Sequence, residues 1–185
     1  CGLLRRGWAA NLCQRMAFSA TFSDLAAVVI SEHGLSGGET AVPLAIVGIG
    51  VVVGRTMAGF GSAMNRRAQV VAGCSVAGGL AALVVFSVDI TAWGAVGLAL
   101  VGMTFISIGW PTFLGFSTEI SGRSHATAVG MLGASNQLGG VGGAALGGAF
   151  LALGGFSTVG FFSFGALLLS TVVLQFGMGT RKPQK

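Results

Sequence analysis

The side chains that could do chemistry are few and lie inside apolar stretches of the sequence. Asp24 is the most informative, because it lies nine residues after Arg15 and eight before Glu32. At 1.5 Å per residue it is roughly 12–14 Å from either charge, close to the centre of a bilayer if this stretch spans one. A charged side chain there costs on the order of 3 kcal/mol, so we expect it to face protein or water. It either binds a proton in a coupled step or holds two helices together.

The other candidates are polar but uncharged: Thr21, Thr104, Ser107, Asn136 and Gln137. Thr21 shares the helical face of Asp24. The hydroxyls of Thr104 and Ser107 can bond to their own helix, so their presence requires no substrate. At least one of Asn136 and Gln137, near the centre of an apolar stretch, is expected to hydrogen-bond across helices. Structural bonding and substrate binding both stay open for these residues.

A catalytic set is missing from the sequence. Its two His residues lie outside the apolar stretches, and there is no G-x-S-x-G, H-E-x-x-H or P-loop motif. The three Cys residues are scattered without a C-x-x-C pair. We therefore predict that the protein is not an enzyme and that it holds no metal and no cofactor.

The composition indicates what kind of scaffold positions these residues. Of 185 residues, 53% are hydrophobic and only 8% are charged, whereas a soluble domain carries roughly a quarter charged residues. This excludes a water-soluble globule and indicates an integral membrane protein surrounded by the lipid bilayer. At about 30 residues per helix with its loop, the length allows about six spans.

Polar breaks divide the apolar sequence into six predicted spans that form one all-α domain, a six-helix transmembrane bundle. The spans are 13–31, 42–60, 68–86, 92–115, 126–153 and 158–178. Trp110-Pro111 is expected to mark a bend near the end of the fourth span. Gly154, Gly155 and Ser157 are expected to form the turn between the last two spans.

The charges fall on alternate sides of this arrangement. With the N-terminus inside, all ten Lys and Arg residues lie in inside segments, whereas the outside loops hold Glu32, Glu39 and Asp89. By the positive-inside rule, both termini are predicted to be cytoplasmic, in a bacterial inner (plasma) membrane. The net charge of +5 follows from this asymmetry, so we do not predict a nucleic-acid partner.

Glycines recur at helical spacing and predict close helix contacts. Gly139, Gly143 and Gly147 repeat every four residues in the fifth span, and Gly50 and Gly54 do the same in the second. Small residues let helix backbones approach closely in lipid. Tight packing within the bundle and a sliding interface between two rocking halves both need such residues, so the pattern leaves both open.

Two motifs resemble those of the major facilitator superfamily, in the C-terminal half of such transporters. Gly54-Arg55, Gly59 and the later Arg66-Arg67 resemble its cytoplasmic signature, a G-R-x-x-x-G followed by D-R-x-G-R-R. The Asp and the first Arg of that signature are absent here, and Asn65 replaces its Gly. A second set of glycines fits the family's antiporter signature G-x8-G-x3-G-P-x2-G-G, with Ala144 in place of Pro: Gly130, Gly139, Gly143, Gly147 and Gly148.

The resemblance implies a secondary transporter that moves a small organic solute by alternating access, proton-coupled and exporting. The first and fourth spans would line the cavity, which assigns Asp24, Thr104 and Ser107 to it. The second and fifth spans, with their glycines, would face an N-terminal six-helix half. Cys1 in place of Met, with Arg5-Arg6 like a cytoplasmic loop, leads us to expect that the chain is a piece of a longer protein. A non-transporting membrane scaffold or sensor is the alternative.

Overall fold

A computed structural model describes residues 2–62, 67–121 and 124–178, and every regular element in these ranges is a helix. The helices are α1 (Gly2–Ser31), α2 (Ala41–Ser62), α3 (Arg67–Ser87), α4 (Ala92–Ser107), α5 (Gly109–Ser121) and α6 (His125–Met178). The prediction of an all-helical bundle is therefore confirmed. The predicted fourth span corresponds to α4 and the start of α5, and α6 covers the last two predicted spans.

Two glycines interrupt α6 and divide it into a limb of residues 125–153 and a limb of residues 156–178. Gly154 and Gly155 have non-helical backbone angles, and Gly155 has a φ of 74° and a ψ of −170°. This conformation is essentially restricted to glycine. The Thr158 hydroxyl lies 2.6 Å from the carbonyl oxygen of Phe150 and secures the reversal. The turn expected at these glycines is present.

A break at Ile108 separates α4 from α5. Pro111 lies in the first turn of α5, where its missing N–H is best tolerated. Since that N–H would have paired with the Ser107 carbonyl one turn earlier, the helix is interrupted before the proline rather than at it. The bend predicted at Trp110-Pro111 thus begins two residues before Trp110.

Among the described residues, four helical segments are long and apolar enough to cross a membrane: Ala41–Ala58, Gln69–Ser87, Ala92–Gly115 and His125–Gln175. The last has 51 residues, more than twice the roughly 20 that one crossing needs. Large apolar side chains on its surface, such as Val141 and Leu153, are 74% and 83% exposed. These features indicate an integral membrane protein, whereas the number of crossings and their orientation stay predictions.

α1 lies outside that set because it carries polar residues, and several of them face the protein. Asn11, Gln14 and Asp24 are all buried. The helix packs along both limbs of α6 and against α4 and α5. A main core joins Leu25 and Val29 of α1 to Met103 of α4 and to α6 residues. α1 therefore positions polar groups inside the bundle.

A short hydrogen-bonded turn leads into α2. The backbone N–H and the hydroxyl of Ser36 donate to the same carboxylate oxygen of Glu39, over 2.9 and 2.6 Å. The Glu39 N–H lies 3.4 Å from the Ser36 hydroxyl oxygen, which completes a reciprocal capping arrangement. The Ser36 hydroxyl, followed by its backbone N–H, lowers the pKa of the Glu39 carboxyl below its ordinary value.

Candidate functional site: buried polar groups along α1

Asp24 is buried at the contact between α1 and the 125–153 limb of α6. Its side chain is only 6% exposed, and its Oδ2 atom is buried with no hydrogen-bond partner. This oxygen lies so close to Gly147 that a Cβ atom on that residue would collide with it. In the described part of the chain, no basic side chain forms an ion pair with Asp24. The group is an acid held without compensation inside the bundle.

The neighbouring polar contact joins α1 to the other limb of α6. The Thr21 hydroxyl lies 3.2 Å from the hydroxyl oxygen of Ser163, and both side chains are buried. Thr21 precedes Asp24 by one helical turn on the same face. Ser163 was not among the sequence-predicted residues, because a serine in an apolar span carries no signal of which helix it faces.

Three further bonds fix the N-terminal part of α1. The Asn11 side-chain amide donates to the Ser135 hydroxyl over 2.9 Å, and the Gln14 amide donates to the Ile106 carbonyl over 3.2 Å. The Ser170 hydroxyl donates to the Ala10 carbonyl over 2.7 Å. Sequence reasoning missed Asn11 and Gln14, although their three-residue spacing placed them on one helical face.

The predicted cross-helix bond of Asn136 or Gln137 is not found among the described residues. Gln137 is exposed, and Asn136 is half-buried with its Oδ1 atom lacking a partner. Their neighbour Ser135 makes the bond to α1 instead, because it faces that helix. Substrate contacts by Asn136 or Gln137 stay a prediction.

Thr104 and Ser107 face α2 at its two spaced glycines. A Cβ atom built on Gly50 would lie 2.8 Å from the Thr104 hydroxyl oxygen, and one on Gly54 would lie 2.9 Å from the Ser107 Cβ. The Thr104 hydroxyl donates to the Leu100 carbonyl of its own helix over 2.7 Å. Ser107 is buried and its hydroxyl has no partner. Both residues therefore lie at a helix contact, and Ser107 keeps an unused hydroxyl there.

The glycine stripe of α6 lies inside the bundle, which corrects the expectation that it faces a missing half. A Cβ on Gly139 would lie 2.7 Å from the Arg15 Cβ, and one on Gly143 would lie 2.6 Å from the Met16 Cα. Gly147 meets Asp24 and Ala20 in the same way. All three glycines lie at the contact with α1, where the α1 backbone is too close for any side chain to fit at their positions. Only Gly130 and Gly148 of the predicted set are open.

The predicted loop motif is described in part. Arg55 is exposed on α2, directly after Gly54. Gly59 lies on α2 and Arg67 begins α3, whereas Arg66 lies outside the described residues.

The acidic loop residues gather at one end of the bundle. Glu32 and Asp89 line the same cavity of about 440 Å³, together with Phe86, Gly155 and Phe156. The end of α1, the α3–α4 loop and the turn within α6 therefore meet there. In the described residues no three His, Cys, Asp or Glu side chains come together to hold a metal ion.

Comparisons of this chain with protein families, with curated proteins and with solved structures found no match.

Proposed function

We propose that this chain forms a six-helix bundle of a secondary transporter that moves a small organic solute by alternating access, with Asp24 as the proton-binding group. The proposal includes export as the direction, an N-terminal six-helix half and cytoplasmic termini. The observation that supports it is the buried Oδ2 atom of Asp24, which has no partner inside a bundle of membrane-length apolar helices.

An uncompensated buried acid favours proton exchange over a purely structural role. Other polar side chains that hold α1 in place make hydrogen bonds across helices, as Asn11 does with Ser135 and Thr21 with Ser163. A carboxylate serving the same purpose would accept a bond from a donor, since an unpaired charge in lipid is costly. Asp24 instead can be neutralised by taking up a proton, which is the elementary step that couples a transporter to a proton gradient.

Proton binding can be tested before any substrate is known. In the full-length protein that carries this chain, infrared difference spectra across a pH titration should contain the band of a protonated carboxyl group. The change Asp24→Asn should remove that band. The matched control Asp89→Asn makes the same chemical change in an exposed loop and should leave it in place. A band that survives Asp24→Asn would assign the proton to another group.

Coupling is tested by flux. Vesicles containing the full-length protein and an internal pH dye are exposed in turn to a panel of small organic anions and cations. We expect at least one solute to move protons, and Asp24→Asn but not Asp89→Asn to abolish that movement. Coupling that is unchanged by Asp24→Asn would remove Asp24 from the mechanism.

The second candidate is a non-transporting scaffold or sensor, and one surface favours it. The outer face of the 125–153 limb exposes Gly130, Leu138, Val141 and Gly148, a mixture of small and apolar residues that suits contact with another membrane helix. This candidate predicts no proton movement with any solute in the panel, together with crosslinking of a cysteine placed at Val141 to a second membrane protein.

A further inference from the structure

The cavity at the end of α1 has the size and the lining of a site for a small organic molecule. Its volume is about 440 Å³, within the range of about 300–1,000 Å³ that is usual for such sites. Its wall combines apolar side chains with a few polar ones: Val28, Val85, Phe86 and Phe156 with Glu32, His33 and Asp89. Apolar surface with a small number of polar groups is the typical composition of a ligand pocket.

The apolar part of the wall includes two aromatic rings from different helices. Phe86, near the end of α3, and Phe156, directly after the turn of α6, have ring centres 6.5 Å apart and planes 14° from parallel. Val28 and Val85 extend this surface, and each is only 4% exposed. An apolar group is buried favourably against such a surface, and the face of an aromatic ring also attracts a cation.

The charged part of the wall is negative. Glu32 directly follows α1 and Asp89 lies in the α3–α4 loop, so two separate segments each bring one carboxylate to the cavity. Neither carboxylate forms an ion pair within the described ranges, and the lining found there includes no Lys or Arg. Two uncompensated carboxylates at one cavity attract a cation and repel an anion.

Local contacts fix the three segments around the cavity. Gly34 ends α1 with a φ of 67°, and its N–H donates to a carbonyl one turn earlier over 3.1 Å, a glycine cap. In the α3–α4 loop the Val88 N–H donates to the Val84 carbonyl over 3.0 Å. The end of α3 packs closely on α6, since a Cβ on Gly160 would lie 3.1 Å from the Phe86 Cβ. A cavity formed in advance lowers the ordering cost of binding.

We propose that this cavity binds a small organic ammonium ion, with its charge at Glu32 and Asp89 and its apolar body against Phe86 and Phe156. A bare metal ion suits the cavity less well, because within the described residues no three His, Cys, Asp or Glu side chains come together to hold one. The same ammonium chemistry is offered by a free amine and by the headgroup of phosphatidylethanolamine.

The site is separate from the proposed proton-binding group. Asp24 is not among the described residues that line the cavity, and it lies one helical turn before Val28. The inference therefore does not rest on the proposed function, and the amine is a ligand of this end of the bundle rather than the transported solute. Asp24→Asn should leave amine binding intact, and Asp89→Asn stays a control for proton movement.

The test is equilibrium binding to the purified full-length protein in neutral detergent, at a mildly alkaline pH where a histidine imidazole is neutral. The probe is labelled phenethylamine, and three matched compounds isolate its parts. Phenethyl alcohol lacks the charge, phenylacetate reverses it, and methylamine lacks the apolar body. We expect phenethylamine to bind more tightly than all three. Phenethyl alcohol or phenylacetate binding as tightly as phenethylamine would overturn the proposal, and this comparison needs no protein variant.

Protein variants then locate the probe. Glu32→Gln and Asp89→Asn should each weaken phenethylamine binding about threefold or more, and the double variant about tenfold or more. Both residues are exposed, so the melting temperatures without amine should stay close to that of the unaltered protein. The control Glu39→Gln removes the same charge from the loop after α1, at a residue outside the lining, and should leave binding unchanged. Equal weakening in Glu39→Gln would contradict a site in the cavity.

A second arm separates a free amine from a lipid headgroup. The melting temperature is measured in nanodiscs of phosphatidylcholine with and without phosphatidylethanolamine. Binding of phenethylamine in detergent that depends on Glu32 and Asp89 assigns the site to a free amine. Stabilisation by phosphatidylethanolamine alone, lost in Glu32→Gln and in Asp89→Asn, assigns it to a headgroup. The absence of both effects would overturn the proposal.

Discussion

The contact between α1 and the 125–153 limb of α6 can be tested by adding one methyl group. In Gly143→Ala the new Cβ would lie 2.6 Å from the Met16 Cα and 2.8 Å from its carbonyl carbon. Ordinary contacts begin near 3.4 Å, so the two backbones must move apart by most of an ångström. Because the obstructing atoms belong to the backbone, no change of side-chain rotamer relieves the overlap.

The magnitude follows from two opposing effects. Overpacking of this kind costs about 1–3 kcal/mol, whereas replacing glycine by alanine within a helix gains about 0.5–1 kcal/mol. We therefore expect Gly143→Ala to lower the free energy of unfolding by about 1–2 kcal/mol. Gly148→Ala is the matched control, since a Cβ there meets nothing within 4 Å, and it should be neutral or slightly stabilising.

The assay is unfolding in mixed micelles with an increasing fraction of denaturing detergent, followed by helical circular dichroism. If Gly143→Ala and Gly148→Ala unfold at the same detergent fraction, the close backbone contact with Met16 does not exist. The result would then favour the arrangement expected from the family resemblance, in which the stripe faces another bundle. In that arrangement Gly143→Ala would change transport and leave the stability of the bundle unaltered.

Two further predictions concern the turns. Gly155→Ala should destabilise the protein by about 1–3 kcal/mol, because the backbone conformation of Gly155 is essentially restricted to glycine. The control Gly37→Ala lies at an open site without a positive φ and should not destabilise the protein. Equal melting temperatures of the two variants would argue against the reversal in α6. Ser36 lowers the pKa of the Glu39 carboxyl, so the bond stabilises the protein above the ordinary pKa of a glutamate and is lost as the pH falls through the lowered value. The melting temperatures of the protein and of Glu39→Gln should therefore converge at acid pH, and a constant difference would contradict this.

Helix positions could be predicted from the sequence because apolar runs and polar breaks report directly on them. The predicted span 42–60 corresponds to Ala41–Ser62, and 68–86 corresponds to Arg67–Ser87. The span predicted from residue 13 is different, because α1 begins at Gly2. Arg5 and Arg6 mark the point where a polar segment meets an apolar one. Such a change of polarity does not by itself end a helix.

Helix neighbours could not be predicted, because a small or polar residue does not specify its partner. The period of Gly139, Gly143 and Gly147 showed that they share one face, but only the structure places α1 against it. The same applies to Asn136, whose expected bond belongs to Ser135 one residue earlier. A shift of one position turns a helical side chain by about 100°, enough to exchange the partner it meets.

The geometry of α1 explains why its two unpaired charges do not neutralise each other. Arg15 and Asp24 are nine residues apart, about 13.5 Å along the helix, and they meet the 125–153 limb at two different glycines, Gly139 and Gly147. Asp24 lies beside Gly147, one turn from the Thr21–Ser163 contact, whereas the guanidinium group of Arg15 lies over the Phe18 ring. Each charge must therefore be compensated from outside the helix, which under the proposed function means a proton for the Asp24 carboxylate.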